Sequence, residues 1–386
     1  MAIPYGRQTI SDSDIQAVVD VLQSDYLTQG PAVPRFEQAV ADRAGAVYAV
    51  AFNSATSALH LACLALGLRA GDRLWTTPIT FVASANCALY CGADVDFVDI
   101  DPHTFNMSVQ ALELKLQRAE QKGRLPKIVV PVHFGGLSCD MEAIARLARQ
   151  YGFFVIEDAS HAIGGQYRNK HIGHGAYSDI TVFSFHPVKI ITTAEGGVAV
   201  TNNRALAEKM SLLRSHGITR NPEDMTQAPD GPWYYQQIAL GFNYRLTDLQ
   251  AALGVSQLDK LSQFVERRHQ IAERYRQLMA DFPIVFQHQP ADCYSAMHLF
   301  VVRLSADRLS RSHRQIFEQM RASGIGVNLH YIPVHLQPYY KKLGFNPGDF
   351  PEAEKYYREA ISLPMFPGLT DQQVEFIADV FRRVLS

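Results

Sequence analysis

Lys189 is the residue of this sequence with the clearest chemical potential. It lies in the polar segment Ser184–Gly197 (SFHPVKIITTAEGG), between β-rich runs over 179–183 and 198–201. A lysine enclosed between buried strands is desolvated, and desolvation lowers the pKa of an amine. A neutral amine can form a Schiff base with an aldehyde. The alternative is a surface lysine beside a tight Gly-Gly turn, since most lysines are exposed.

Asp158 is the second residue whose position suggests chemistry. It follows the apolar run 153–156 and precedes Ala159-Ser160-His161. A carboxylate at the carboxyl end of a parallel strand faces the ligand crevice of an α/β sheet. If the aldehyde is pyridoxal phosphate, an aspartate keeps the pyridine nitrogen protonated, so that the ring can accept electrons. Asp158 could instead cap a helix. However, Lys189 follows the next β-rich run of the chain, and this spacing favours the cofactor.

Small polar residues offer a site for the phosphate. Asn53-Ser54-Ala55-Thr56 opens a helix after a β-rich run, and free N–H groups at a helix start bind anions. Simple capping by Ser54 is the alternative. Ser184 adds a hydroxyl close to Lys189, and Phe81 could stack on the cofactor ring or pack in the core.

Histidines surround these candidates. His161 could hydrogen-bond Asp158 or pack against the cofactor, and its alternative is a structural histidine at a helix start. His186 could face a ligand or be only structural. A zinc site built from His161, His171, His174 and His186 is disfavoured, because their spacing suits no common zinc pattern and no cysteine accompanies them.

Alternating β-rich and helical stretches position these residues. Strands are predicted over 73–77, 95–98, 127–132 and 153–156, and helices over about 54–66, 81–90, 108–121 and 141–151. This alternation predicts an α/β fold with a mostly parallel sheet and helices on both faces. A long helix over about 246–279, strands over 297–304 and 326–329, and a helix over about 309–323 predict a smaller α+β domain. The expected domains are therefore 1–245 and 246–386.

Composition limits the function. The net charge of −2 does not suggest a nucleic-acid partner. No apolar run approaches the ~20 residues of a membrane helix, and the N-terminus lacks the apolar core of a signal peptide. The five cysteines show no metal spacing; Cys87 and Cys91, one helical turn apart, are interpreted as small core residues. A reducing cytoplasm is expected.

Seven segments resemble the DegT/StrS family of nucleotide-sugar aminotransferases, which depend on pyridoxal phosphate. In chain order they are NSATSAL (53–59), TPITFVASAN (77–86), PVHFGG (131–136), EDASHAIGG (157–165), SFHPVKIITTAEGG (184–197), GFNYRLTDLQ (241–250) and HYIPVH (330–335). The resemblance implies fold type I, the aspartate aminotransferase-like fold. ITTAEGG, SHGI (215–218) and HYIPVH are most similar to the pseudaminic acid branch of the family.

The resemblance also implies residue roles. Lys189 would hold the cofactor and move the substrate proton, and Asp158 would pair with the ring nitrogen. The other cofactor contacts would be His161 near the 3-hydroxyl, Phe81 on the ring, Ala55, Thr56 and Ser184 at the phosphate, and Asn243 reaching the phosphate of a neighbouring subunit. The segments that shape the sugar-nucleotide site would include Tyr5, Tyr26, Leu27, Thr28, His330 and Tyr331. Arg245 is a candidate for the diphosphate, with an intersubunit ion pair as its alternative.

The activity implied is amino transfer from L-glutamate to C4 of UDP-2-acetamido-2,6-dideoxy-β-L-arabino-hex-4-ulose. The product would be UDP-4-amino-4,6-dideoxy-N-acetyl-β-L-altrosamine, a precursor for cell-surface glycans such as those on flagellin. A cytoplasmic homodimer with shared active sites is expected. The alternatives are transfer to a UDP-4-keto-pentose or a dTDP- or GDP-linked keto sugar, a sugar dehydratase, and a non-catalytic binding protein of the same fold. Lys189 disfavours the dehydratase, because such relatives replace this lysine by histidine.

Overall fold

The structure is a computed structural model that describes residues 2–386. Its helices are α1 (Asp12–Leu22), α2 (Ala32–Ala44), α3 (Ala55–Ala65), α4 (Ala83–Tyr90), α5 (Val109–Gln121), α6 (Met141–Tyr151), α7 (Arg204–Arg214), α8 (Asp248–Leu258), α9 (Leu261–Leu278), α10 (His313–Ala322), α11 (Pro338–Lys341), α12 (Pro351–Glu359) and α13 (Asp371–Leu385). Its strands are β1 (Tyr48–Phe52), β2 (Arg73–Thr76), β3 (Asp94–Phe97), β4 (Ile128–Val130), β5 (Phe154–Asp158), β6 (Gln166–Tyr167), β7 (Lys170–His171), β8 (Ile180–Ser184), β9 (Gly197–Thr201), β10 (Ile218–Thr219), β11 (Gln236–Gln237), β12 (Ile284–Phe286), β13 (Cys293–Tyr294), β14 (Phe300–Leu304) and β15 (Ala360–Leu363).

A seven-stranded sheet forms the centre of the fold, in the order β1-β9-β8-β5-β4-β2-β3. Strand β9 runs antiparallel to both of its neighbours, β1 and β8. The pairs β8–β5, β5–β4, β4–β2 and β2–β3 are parallel. The predicted mostly parallel α/β sheet is therefore confirmed. Its one reversed strand, β9, follows the Lys189 segment in the chain.

The strands of this sheet are buried on both faces. Leu74 and Val130 pack with residues of α3 and α4 on one face, whereas their neighbours Trp75 and Val129 pack with α5 and α6 on the other. Successive side chains of a strand point to opposite faces. Helices therefore cover both faces of the sheet, which explains why its strands are continuous apolar runs and do not alternate apolar and polar residues.

Helix α3 begins where the sequence predicts. The Ser54 side chain accepts a hydrogen bond from the Ser57 amide at 3.1 Å, which is the usual N-cap contact. A glycine brings β9 close to this helix start: a Cβ on Gly197 would lie 2.4 Å from the Ala55 nitrogen. The first turn of α3 and the start of β9 can be neighbours only because residue 197 has no side chain.

A second hydrophobic core lies between α9, α10, α13 and the three-stranded sheet β12-β14-β15. The predicted division near residue 246 stays a proposal, and it is supported by this separate core. Helix α8 lies after residue 246 in the chain, but it packs against α1 and α2 of the predicted first domain.

Three predicted elements of the second unit differ in the structure. The long helix over 246–279 is two helices, α8 and α9, and Lys260 between them donates to Asp14 and Ser11. Residues 326–329 form only a bridge from Asn328 to Ser362, since Gly326 lies against the backbone of residues 3–5. Helix α10 begins at His313, after a 3₁₀ turn over Ala306–Arg308.

Within residues 2–386, no helix is both long enough and apolar enough to cross a bilayer.

Candidate active site

A cavity of about 900 Å³ opens at the carboxyl ends of the parallel strands. Asn53 follows β1, Val132 follows β4, Asp158 ends β5 and Ser184 ends β8, and all four residues line it. This volume lies in the range of ligand pockets. The position is where ligands bind in open α/β sheets.

Lys189 lines this cavity from the connection between β8 and β9. Its side chain is partly exposed, and its Nζ has no hydrogen-bond or ion-pair partner among residues 2–386. Desolvation lowers the pKa of Lys189 to about 8, although the nearby Asp158 charge favours the protonated form. About a tenth of this amine is therefore neutral at pH 7 and available as a nucleophile, far more than at the ordinary pKa of 10.5.

Asp158 is buried and oriented by two donors. The Ser84 hydroxyl donates to Oδ2 at 2.6 Å, and the Ser160 amide donates to Oδ1 at 3.0 Å. Thr80 in turn lies 2.7 Å from the Ser84 hydroxyl. The helix-cap interpretation of Asp158 does not hold, because residues 159–164 form turns rather than a helix. The carboxylate is thus fixed at the cavity wall.

The start of α3 provides donors for an anion. The amides of Ala55 and Thr56 have no acceptor within residues 2–386, whereas the Ser57 amide is capped by Ser54. The Ser184 hydroxyl, at the end of β8, lines the same cavity. Uncapped N–H groups at a helix N-terminus favour a phosphate.

His161 and Tyr331 form a buried pair beside Asp158. His161 Nδ1 accepts from the Gly135 amide at 3.3 Å, and its Nε2 lies 3.1 Å from the Tyr331 hydroxyl. Desolvation holds the pKa of His161 well below its usual value, and the nearby Lys189 charge adds to this. His161 is therefore neutral with its proton on Nε2, and it donates to the Tyr331 oxygen. The hydrogen of the Tyr331 hydroxyl is left free for another acceptor.

Two further histidines lie close to Lys189 and are also kept neutral. Desolvation lowers the pKa of His330 to about 3, and it holds that of His298, 4.5 Å from the His161 ring, well below its usual value. Among the lining residues, all of them within the described part of the chain, Lys189 is the only lysine or arginine. The positive charge that this chain supplies to its own cavity is therefore concentrated at the amine.

The structure divides the other predicted site residues into two groups. Phe81, Tyr5, His330 and Tyr331 line the cavity, and Phe81 is 59% exposed, so its ring is free to contact a ligand. The second group lies outside the cavity of its own chain and consists of Tyr26, Leu27, Thr28, Asn243 and Arg245. The 26–28 segment lies instead against the start of α8, where the Asp248 amide donates to the Leu27 carbonyl.

Sequence reasoning missed several residues that line the cavity or support its lining residues. Ser84 and Thr80 lie in the segment 77–86, but nothing local in the sequence indicates that Ser84 faces Asp158. Gln250 of α8 donates through its side-chain amide to the Glu195 carbonyl at 2.8 Å, and both residues line the cavity. Asn328 adds an amide to the wall.

The histidines of the zinc alternative lie in different places. His161 is inside the cavity, His186 is exposed at its edge, and His171 and His174 lie beside Tyr177 and Arg43. Within residues 2–386, no group of three or more His, Cys, Asp or Glu side chains is arranged to hold a metal ion.

The donors of the cavity match the parts of pyridoxal phosphate. An unpaired amine suits its aldehyde, an oriented carboxylate suits its ring nitrogen, and uncapped amides suit its phosphate. The amine and the two amides have no partner among residues 2–386, whereas Ser84 and the Ser160 amide hold the carboxylate in place. The residues present therefore fit this cofactor.

Comparison with known proteins agrees with this geometry. The model of the DegT/DnrJ/EryC1/StrS aminotransferase family matches residues 8–382. Spore coat polysaccharide biosynthesis protein SpsC of Bacillus subtilis is 37% identical over 387 residues, covering 100% of this chain and 97% of that protein. UDP-4-amino-4,6-dideoxy-N-acetyl-beta-L-altrosamine transaminase of Campylobacter jejuni is 38% identical over 385 residues, covering 100% and 98%. The solved structure of Helicobacter pylori PseC, an aminotransferase involved in the biosynthesis of pseudoaminic acid, superposes with a TM-score of 0.91 at 32% identity, covering 100% and 99%.

Proposed function

Because this chain belongs to the DegT/DnrJ/EryC1/StrS aminotransferase family, we propose that it uses pyridoxal phosphate to aminate C4 of a UDP-linked 4-keto-6-deoxy sugar. The chain is an aminotransferase with the fold of type I enzymes. The observation that carries the proposal is the unpaired Lys189 amine, which shares one cavity with Asp158 and with the unpaired Ala55 and Thr56 amides at the start of α3.

The cofactor would be held by residues already described. Ala55, Thr56 and Ser184 would bind its phosphate, Phe81 would cover the ring, and Asp158 would accept a hydrogen bond from the ring nitrogen. When bound, pyridoxal phosphate supplies an electron-accepting ring that stabilises negative charge on the carbon carrying the amino group. His161 and Tyr331 would face the ring from the side of the 3-hydroxyl.

The chemistry of this chain is proton transfer at Lys189 Nζ. A pKa of about 8 lets the amine accept a proton from the carbon next to the amino nitrogen and return it later. Ser84 and the Ser160 amide hold the two oxygens of Asp158 in place, so that the carboxylate would be positioned for the ring nitrogen.

The proposed sugar substrate is UDP-2-acetamido-2,6-dideoxy-β-L-arabino-hex-4-ulose, and the proposed amino donor is L-glutamate. The product would be UDP-4-amino-4,6-dideoxy-N-acetyl-β-L-altrosamine, a precursor of pseudaminic acid on cell-surface glycans such as glycosylated flagellin. The transaminase of Campylobacter jejuni and the Helicobacter pylori structure support this choice over their full lengths.

We also propose a cytoplasmic homodimer in which Asn243 and Arg245 contribute to the cavity of the partner. Both side chains lie outside the cavity of their own chain, although a diphosphate substrate needs cations and amides. The same proposal covers Tyr26, Leu27 and Thr28, which are exposed.

A panel of keto-sugar nucleotides tests the substrate. The purified enzyme is incubated with L-glutamate and each sugar, and the aminated product is followed by mass spectrometry. We expect turnover of the L-arabino-hexulose and little turnover of UDP-4-keto-pentose or of dTDP- and GDP-linked keto sugars. The absence of L-arabino-hexulose turnover, with another sugar aminated, rejects the substrate and keeps the aminotransferase.

A different keto sugar is the second candidate, and one observation favours it. The SpsC protein of Bacillus subtilis, named for spore coat polysaccharide biosynthesis, is as similar in identity and coverage as the Campylobacter jejuni transaminase. The two relatives carry different names at nearly the same distance, so the sugar must be decided by the panel.

A lysine variant separates catalysis from mere binding. Lys189→Ala should abolish the absorbance of the lysine–cofactor Schiff base and all amino transfer, while circular dichroism reports an unchanged fold. A non-catalytic binding protein would show no such absorbance in the parent. Lys170→Ala, at an exposed lysine on β7, is the matched control and should keep both signals.

A further inference from the structure

A buried histidine on α3 has no part in the chemistry described above and does not line the active-site cavity. His60 lies in the second turn of this helix and is 5% exposed. Its ring packs against those of Phe242, Tyr90 and Tyr244, with centroid distances of 4.9, 5.4 and 6.0 Å. The Tyr244 hydroxyl lies 3.4 Å from His60 Nδ1. His60 is therefore enclosed by aromatic rings, and two of these rings belong to the residues on either side of Asn243.

The segment 242–244 is extended, and this sets the direction of its side chains. Asn243 forms an antiparallel bridge with Ser215, and successive side chains of an extended segment point to opposite sides. The rings of Phe242 and Tyr244 both pack against His60, and they stack on each other at 5.0 Å and 19°. Asn243 between them is exposed. The packing of two rings on His60 therefore determines where the Asn243 amide points.

Hydrogen bonds of the main chain anchor the same segment. The amides of Phe242 and Tyr244 donate to carbonyls at the end of α7, at 2.7 and 3.0 Å. The Tyr244 carbonyl accepts from the amide of Asn53 at 2.8 Å, and Asn53 lines the cavity of its own chain. Helix α3 therefore borders its own cavity at its start, and it supports the 242–244 segment from its second turn.

We propose that His60 is a positioning residue that acts across the subunit interface. By packing against Phe242 and Tyr244, it orients Asn243 towards the cofactor phosphate of the partner subunit. The inference rests on the proposed homodimer, in which Asn243 contributes to the cavity of the partner. A donor held in its binding geometry loses less conformational freedom when it meets a phosphate than one that moves freely. Loss of His60 should therefore weaken cofactor binding in the other subunit of the dimer.

Two variants test the support of Asn243. His60→Leu removes the imidazole, and Tyr244→Phe removes only the hydroxyl that contacts it. The cofactor-free enzyme is titrated with pyridoxal phosphate, and the absorbance of the lysine–cofactor Schiff base gives the affinity. We expect His60→Leu to weaken the affinity by about tenfold, the scale of one hydrogen bond to a charged group, and Tyr244→Phe by about threefold. Parent affinity in both variants overturns the inference.

Mixed dimers distinguish an effect on the partner from a distortion of α3 in the same chain. Two differently tagged chains are co-expressed, and the species with both tags is purified. When His60→Leu is paired with Lys189→Ala, the one site that keeps the lysine receives Asn243 from a chain with an intact His60. We expect this dimer to bind the cofactor within about twofold of the parent affinity. When the double variant His60→Leu/Lys189→Ala is paired with the parent chain, the parent site receives the unsupported Asn243, and its affinity should fall by about tenfold.

The opposite pattern, weak binding in the first pair and parent affinity in the second, means that His60 acts within its own chain and overturns the inference. Tyr244→Phe replaces His60→Leu in both pairs if the latter lowers the yield of folded protein. A matched pair, Asn243→Ala with Lys189→Ala, tests the shared site on which the inference rests. Failure of this pair to regain the parent affinity, or of any species with both tags to form, rejects the shared site itself. Recovery in this pair but not in the His60 pair rejects only the role of His60.

Discussion

The desolvated amine of Lys189 should destabilise the cofactor-free protein, and replacing it should be stabilising. Its pKa of about 8 in the folded chain lies below the ordinary value of 10.5 because of desolvation. At about 1.4 kcal/mol per pKa unit, this gap corresponds to at most about 3.5 kcal/mol of lost stability. The side chain is partly exposed to the cavity, and solvent screening reduces the cost, so we expect about 1 to 2 kcal/mol.

The pH dependence of this cost has a defined sign. Below about pH 8 the lysine is protonated in both states, and the native state carries the full cost. Between about pH 8 and 10.5 the unfolded chain holds a proton that the native chain has released, so stability rises with pH. Above the ordinary pKa both states are neutral, and the cost disappears.

Urea unfolding of cofactor-free Lys189→Met and of the parent, compared from about pH 7 to 9.5, measures the effect. We expect the variant to be more stable by about 1 to 2 kcal/mol at the lower pH, and this advantage to fall by about half at the higher pH. Lys170→Met, at an exposed lysine, is the control and should give a difference that does not vary with pH. A variant that is less stable throughout, or an advantage that does not change with pH, would refute the reasoning.

Three further predictions concern residues that support the site. Ser84→Ala leaves one oxygen of the buried Asp158 without its donor, so the free energy of unfolding should fall by about 2 kcal/mol, against about 1 kcal/mol for Ser138→Ala, whose hydroxyl bonds a neutral carbonyl. Equal losses in urea titrations would contradict the role of the charge. Gly197→Ala places a Cβ 2.4 Å from the Ala55 nitrogen, so affinity for pyridoxal phosphate, measured by fluorescence titration, should fall by about tenfold or more. Gly368→Ala, with its nearest neighbour at 3.8 Å, should bind the cofactor normally. Arg268→Met removes a buried guanidinium that donates to the carbonyls of Met297, His298 and Met365, so stability should fall by at least about 2 kcal/mol. The exposed Arg118→Met should lose little, and an equal loss in both would reject this explanation.

Local signals in the sequence determined much of this protein. The helix cap at Ser54, the alternation of strands and helices, and the apolar strand before Asp158 each depend on neighbours within a few residues. Because parallel strands end at one edge of a sheet, the same pattern also predicted that Asp158, the start of α3 and the Lys189 segment would meet. In the structure these residues line one cavity.

Tertiary packing decided the rest. Ser84 meets Asp158 across 74 residues, and Tyr331 meets His161 across 170, and no local pattern specifies such pairs. Beside the break between α8 and α9, Lys260 contacts Asp14, 246 residues away. The direction of a pKa shift also depends on this packing: desolvation by distant segments, rather than the residues beside Lys189 in the chain, makes its amine available for chemistry.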